Sequence, residues 1–210
     1  EDDGSLAFEK LVKAVWRPMA SANPRLDHIF DNYLQTVWNL SLAVPLPYLE
    51  GHIFDEPANG WADAFWASNK PRGSAQACDR TGQSFRELLG LETPSRPSPA
   101  FEVRFDELSL SHPLRYRGLP PTAHKLTRPV VLFGKCDERF PKSETQFTGG
   151  RLGFEAYLFW TPKFAPTEHS GVLVRIHGSS GTLFDSTFMR YQVSEQTRLR
   201  QIVCEIFVHT

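Results

Sequence analysis

His177, Ser179, Ser180 and Asp185 stand together in the stretch RIHGSSGTLFD, and they are the residue types of a nucleophilic hydrolase. Their spacing falls short of one. The nucleophile-elbow pattern asks for a glycine two residues to each side of the serine. Ser180 has Gly178 before it but Thr182 after it, and Ser179 has Gly181 after it but His177 before it. The stretch is not a phosphate loop either, because no Gly-Lys-Ser/Thr ending follows the glycines. The plainer reading is a Gly-Ser turn leaving a strand. A free-standing serine hydrolase using His177 with Ser179 or Ser180 stands as one alternative, and a module that binds a peptide or another protein through its first ninety residues as the other.

The remaining polar residues give less chemistry. His112, His124, His169, His177 and His209 are scattered, and no pair has the i, i+4 spacing of a helical zinc motif, so they read as surface or capping histidines. The acidic residues form no D-x-D pair and no calcium loop. Cys78, Cys136 and Cys204 are far apart and odd in number, which argues against both a disulfide framework and a metal site. A reducing cytoplasm suits them. No catalytic, cofactor-binding or metal-ligating residue is assigned. Trp61, Phe65 and Trp66 could line a peptide groove, although aromatic residues more often fill a core. One polar cluster stands out in RYQVSEQTRLRQ. Arg190, Gln192, Gln196, Arg198 and Arg200, with Glu195 among them, suit contact with a partner domain, because arginine reaches carboxylates and phosphates in forked geometry.

The elements that position these residues change character along the chain. Residues 1–91 read as helical and then irregular. Phe8, Leu11, Val12 and Val15 have helical spacing, and Pro18 closes that helix. A stronger helix begins at Asn23 and Pro24 and carries Leu26, Ile29, Phe30, Tyr33, Leu34, Val37 and Trp38 as one apolar stripe until Pro45 and Pro47 end it. WADAFWAS suggests a short helix, and TGQSFRELLGL another, with Gly90 near its end. Residues 92–99 hold three prolines and mark a linker.

From residue 100 the pattern becomes that of strands. FEVRFDELSL alternates, PVVLFG is a short buried run, and GFEAYLFW places Phe154, Ala156, Leu158 and Trp160 on one face. GVLVRIHG places Val172, Val174 and Ile176 on one face. A final helix is expected over 194–210, capped by Ser194 and buried through Leu199, Ile202, Val203, Ile206 and Phe207. The fold class is therefore α/β, an α+β sandwich over 100–210 preceded by a mostly helical region.

Bulk properties narrow the partners. With 210 residues, 40% hydrophobic and 22% charged, the chain can bury a core without staples. A net charge of -1 gives no general case for nucleic acid or an acidic membrane surface. No apolar run reaches the roughly 18 residues of a membrane span. The acidic start EDDGSLAFEK, without a leading Met, is expected of an internal or processed piece.

Residues 149–208, from GGRLGFEAYLFW through GVLVRIHGSSGTLFDSTFMRYQ to SEQTRLRQIVCEIFV, resemble the middle segment of bacterial proteins related to the heat-shock-protein-90 chaperone. These belong with the gyrase, histidine-kinase and mismatch-repair ATPases. In the chaperone a strand runs into an acidic turn, a short helix and a longer helix, and the likeness covers roughly residues 100–210. The resemblance implies a middle domain like the second domain of ribosomal small-subunit protein five. It implies a transducer that passes ATP state from an upstream ATP-binding domain to a dimer mate or protein client. ATP and Mg would belong to the parent protein, with no cofactor in this segment. The family's E-x-x-x-N helix and D-x-G-x-G loop are missing: DEPAN has Asp55 where Glu is wanted, and DDGSL has Leu6 where the second Gly is wanted. The chaperone's phosphate-sensing arginine would follow the final helix, beyond Thr210. The segment itself is thus expected to be non-catalytic and its parent an ATPase.

Overall fold

A computed structural model describes residues 3–15, 31–57, 61–68, 70, 72–78, 82–91, 102–117, 128–139, 141, 150–161, 169–181, 183–184 and 201–209. Its centre is a six-stranded mixed sheet with helices on one face. The elements are α1 (Asp3–Val15), α2 (Asn32–Ala43), a 3-10 turn (Ile53–Asp55), β1 (Asp63–Trp66), β2 (Gln76–Ala77), α3 (Phe85–Leu89), β3 (Arg104–Phe105), β4 (Leu108–Ser109), β5 (Val130–Arg139), β6 (Arg151–Trp160), β7 (Gly171–Ile176) and β8 (Ile202–His209). The sheet order is β2-β1-β5-β6-β8-β7, and β3-β4 is a separate small hairpin. β5 with β6 and β6 with β8 are antiparallel, whereas β1 with β5 and β7 with β8 are parallel. The sheet therefore takes strands from both sides of the proline-rich stretch at 92–99.

Register places Trp66, Phe133, Tyr157, Glu205 and Leu173 in one row across the sheet. Ala64, Val131, Phe159, Val203 and Gly171 form the next row, and all five are buried. Successive side chains on a strand alternate faces, so both rows lie on the same side. Phe8, Val12 and Val15 of α1, Val37, Trp38 and Leu42 of α2, and Phe85 and Leu89 of α3 belong to the same core. Gly4 lets α1 approach the hairpin, because a Cβ there would meet the Glu107 carbonyl at 2.4 Å.

Several expectations need correction. The helix expected over 194–210 is not formed where the chain is described: residues 202–209 are β8, a strand paired on both sides. The run IVCEIFV satisfies helical spacing only because it is apolar almost throughout. A central strand buried on both faces shows the same run, and its β-branched and aromatic residues favour that state. Ser194 and the start of that helix lie outside the described residues. WADAFWAS gives β1 rather than a helix. FEVRFDELSL is not one strand but a hairpin turning at Asp106 and Glu107, with Asp106 at φ 52.

The faces grouped from the sequence are not the ones turned to the core. Tyr157 and Phe159 of β6, and Leu173 and Arg175 of β7, face the core, while Phe154, Ala156, Leu158, Val172 and Val174 are only half-buried and Ile176 is exposed. Both faces of these strands are apolar, so alternation alone does not choose between them.

Candidate functional site: a buried ion pair between β7 and β8

Arg175 and Glu205 are each the one charged residue in an apolar run, and neighbouring strands bring them together inside the core. Their side chains are 1% and 0% exposed, and Arg175 Nε donates to Glu205 Oε1 at 2.5 Å. Arg175 Nη1 donates to the carbonyls of Leu42 at 3.0 Å and Gly178 at 3.1 Å. One guanidinium thus ties the end of α2 and the turn after β7 to the centre of the sheet. Its Nη2 is buried without a partner.

The second carboxylate oxygen is ringed by phenols. Glu205 Oε2 accepts from Tyr157 at 2.5 Å, from Tyr48 at 2.8 Å and, weakly, from Tyr116 at 3.4 Å. Tyr116 and Tyr157 also share a hydrogen bond between their hydroxyls. Burial works against the Glu205 carboxylate, but the Arg175 charge and the Tyr157 hydroxyl outweigh it and hold its pKa below the ordinary value. Burial likewise opposes the Arg175 charge, and Glu205 more than restores it. Burial and the Glu205 charge push all three phenols well above their usual pKa. The cluster therefore holds one full charge pair and three neutral tyrosines.

Two histidines close the cluster. Tyr48 packs edge-on against His52 and tilted against His112, and His52 packs on Phe207. Burial lowers His52 to about 4 and His112 to about 3, so both are neutral at pH 7. A third histidine lies apart from them. Trp38 Nε1 donates to His169 Nε2, and His169 is stacked between Trp38 and Phe184. Because Nε2 accepts, the neutral ring carries its proton on Nδ1. Burial lowers His169 to about 3. His112 and His169 are thus core residues, not the surface or capping groups expected of them.

The residues singled out in the sequence are distributed differently. His177 (φ 51) and Gly178 (φ 79) are the centre of a tight turn closed by Ile176 and Ser179, with bonds of 2.8 and 3.0 Å. Both positive φ angles identify a type I′ turn, as the Gly-Ser composition suggested. Gly178 also passes close to α2, since a Cβ there would meet Pro45 Cβ at 3.0 Å. His177 and Ser179 are exposed while Ser180 is buried, so the turn does not gather them into one nucleophilic site. Trp61 packs on Phe159 with Arg117 over its ring, and Trp66 packs on Phe133, so both serve the core. Arg190, Gln192, Gln196, Arg198 and Arg200 lie outside the described residues. Among the described residues, no group of three or more His, Cys, Asp or Glu is placed to hold a metal ion, and all three cysteines are free thiols. No described helix is long and apolar enough to cross a membrane.

The chain matches no protein-family model, no curated protein and no solved structure. The chemistry of the cluster must speak for itself. A carboxylate, a guanidinium and three phenols could move protons in an open site. Here every one of the charged atoms is shut away from solvent, so no substrate reaches them. What the arrangement does physically is fix position: α2, the 177–178 turn, β7 and β8 share one set of charge-assisted hydrogen bonds.

Proposed function

We propose that this chain is the transducer segment of a heat-shock-protein-90-like ATPase. The observation that carries the reading is the Arg175–Glu205 pair, which binds the helical layer to the sheet from within. A buried charge pair is a poor source of stability and a good keeper of registry. Displacement of α2 or of the 177–178 turn must disturb Arg175, and through Glu205 the two strands beside it. That is the property a coupling element needs. Helices on one face of a mixed sheet support the finer assignment, a middle domain like the second domain of ribosomal small-subunit protein five.

On this reading ATP and Mg are held by a separate ATP-binding domain, and this chain carries neither. Its partners are that domain, a second copy and a protein client. Arg190, Gln192, Gln196, Arg198 and Arg200 face the ATP-binding domain or the partner. Three free thiols suit a cytoplasmic protein. The test compares Mg-ATP turnover by the complete gene product with turnover by this 210-residue chain. Turnover in the complete product alone is expected, and charge reversal at Arg198 and Arg200 should reduce it. Turnover by the chain itself would overturn the reading.

A further inference from the structure

The carbonyls of Ser41, Leu42 and Ala43 end α2 and are served from outside the helix. Arg175 Nη1 donates to the Leu42 carbonyl at 3.0 Å, and the Ser180 N–H donates to the Ala43 carbonyl at 2.9 Å. Pro45 has no N–H to offer the Ser41 carbonyl. His112 serves it instead, through a ring hydrogen bond to the Ser41 backbone that favours the charged form of the imidazole. Only a ring N–H donating to a carbonyl has that sign. His112 Nδ1 is buried and has no partner, so the donor is Nε2, and in the neutral ring Nδ1 presents a lone pair.

Arg175 Nη2 is the second buried atom of this cluster without a partner in the chain. A carboxylate ordinarily takes both Nε and Nη2 along one edge of a guanidinium. Glu205 does not: Oε1 accepts from Nε, and Oε2 is occupied by the phenols of Tyr157 and Tyr48. The two leftover atoms border one place. His112 and Arg175 reach successive carbonyls of α2. The Tyr48 ring lies 4.7 Å from the His112 ring, and its hydroxyl bonds the carboxylate that Arg175 holds. One atom only donates and the other only accepts, so they are complementary.

We propose that a single buried water joins Arg175 Nη2 to His112 Nδ1, accepting from the guanidinium and donating to the imidazole. The chemistry selects the ligand. An anion would meet the lone pair of His112, and a cation would meet the charge of Arg175. A neutral group that both accepts and donates suits both. The closed core, with His112 2% and Arg175 1% exposed, restricts it to the smallest such molecule. The water completes the joint between the C-terminus of α2 and the sheet, and it exchanges with solvent only when that joint opens. This inference does not rest on the transducer reading.

Magnetic relaxation dispersion of water oxygen-17 counts long-lived buried waters, and nitrogen-15 shifts of the His112 ring report its tautomer. The expected ring at neutral pH is protonated at Nε2 and bare at Nδ1. A crystal structure at atomic resolution should place one water within hydrogen-bond distance of both atoms. His112→Phe keeps a ring against Tyr48 and removes Nδ1, so the folded variant should lose one long-lived water from the dispersion. If that variant fails to fold, R175M/E205L tests the same point by removing Nη2. A His112 ring protonated at Nδ1 overturns the proposal. So does a direct bond from Nη2 to Nδ1, or a folded variant that keeps as many long-lived waters as the original chain.

Discussion

Replacing Glu205 by Gln keeps the side chain's volume and removes the charge that Arg175 faces. The guanidinium is then buried without compensation, and breaking such a pair costs about 3–5 kcal/mol. We therefore expect Glu205→Gln to lower the urea-unfolding free energy by roughly that amount. The double variant R175M/E205L should recover most of the loss, because two apolar side chains leave no charge stranded. A double variant as unstable as the single one would mean that the tyrosines, not the ion pair, dominate the cluster. At this scale the sequence was partly readable. Arg175 interrupts GVLVRIHG and Glu205 interrupts IVCEIFV, two opposite charges in two apolar runs. What hid them is that both faces of these strands are apolar, so period-two spacing does not say which side Arg175 occupies. Tyr48, His52 and Tyr116 give no such signal, since they come from loops whose path local pattern does not determine.

Among the elements, α3 was the most legible, and the reason is local. Ser84 accepts from the Glu87 N–H, the Glu87 carboxylate accepts from the Ser84 N–H, and Gly90 closes the helix in the left-handed conformation. Every one of those contacts lies within six residues of sequence. Ser84→Ala should lower stability by about 1 kcal/mol in a chemical-denaturation series, the ordinary cost of losing an N-cap. An unchanged midpoint would show that burial of Phe85 and Leu89 holds the helix unaided. α1 was read from its spacing, but the second helix begins later than the Asn23–Pro24 start expected for it: Asp31 is extended and caps α2 by accepting from the Leu34 N–H, so the apolar stripe from Leu26 is not one helix. β8 was not read as a strand, because its identity depends on neighbours distant in the chain: Trp160 opposes Ile202, and Arg175 opposes Phe207. An apolar run of that kind is helix or strand according to what flanks it, and the flanks here are distant. β1 went astray likewise, its place in the sheet being fixed by parallel pairing with β5.

Across the molecule, the buried His112 and His169, the half-buried His52 and one buried carboxylate give stability a single direction in pH. His52, His112 and His169 are lowered by burial to about 4, 3 and 3, against an unfolded value of 6.5. Below pH 6.5 the unfolded chain takes up protons that the folded chain refuses, so stability falls as pH falls. Each histidine contributes a loss of roughly 2 kcal/mol by pH 5. Glu205 adds to the trend further down: its folded pKa is depressed, so its contribution is present above the ordinary carboxylate value and is lost as pH drops through the folded one. Urea midpoints at pH 7.5, 6 and 5 should therefore decline steadily, with His52→Phe flattening part of the slope. A flat profile would place the histidines in contact with water.

The sheet order has a consequence in time as well as in space. β8 follows β7 in the chain but is inserted between β7 and β6. A ribosome releases the chain from its N-terminus, so β6 and β7 emerge with a gap between them that only residues 202–209 can fill. Until those residues are out, β6 lacks one neighbour, Arg175 lacks its counter-charge, and the tyrosines have no carboxylate to surround. Closure of this sheet thus waits for one strand, which brings the missing backbone partners and the missing charge together.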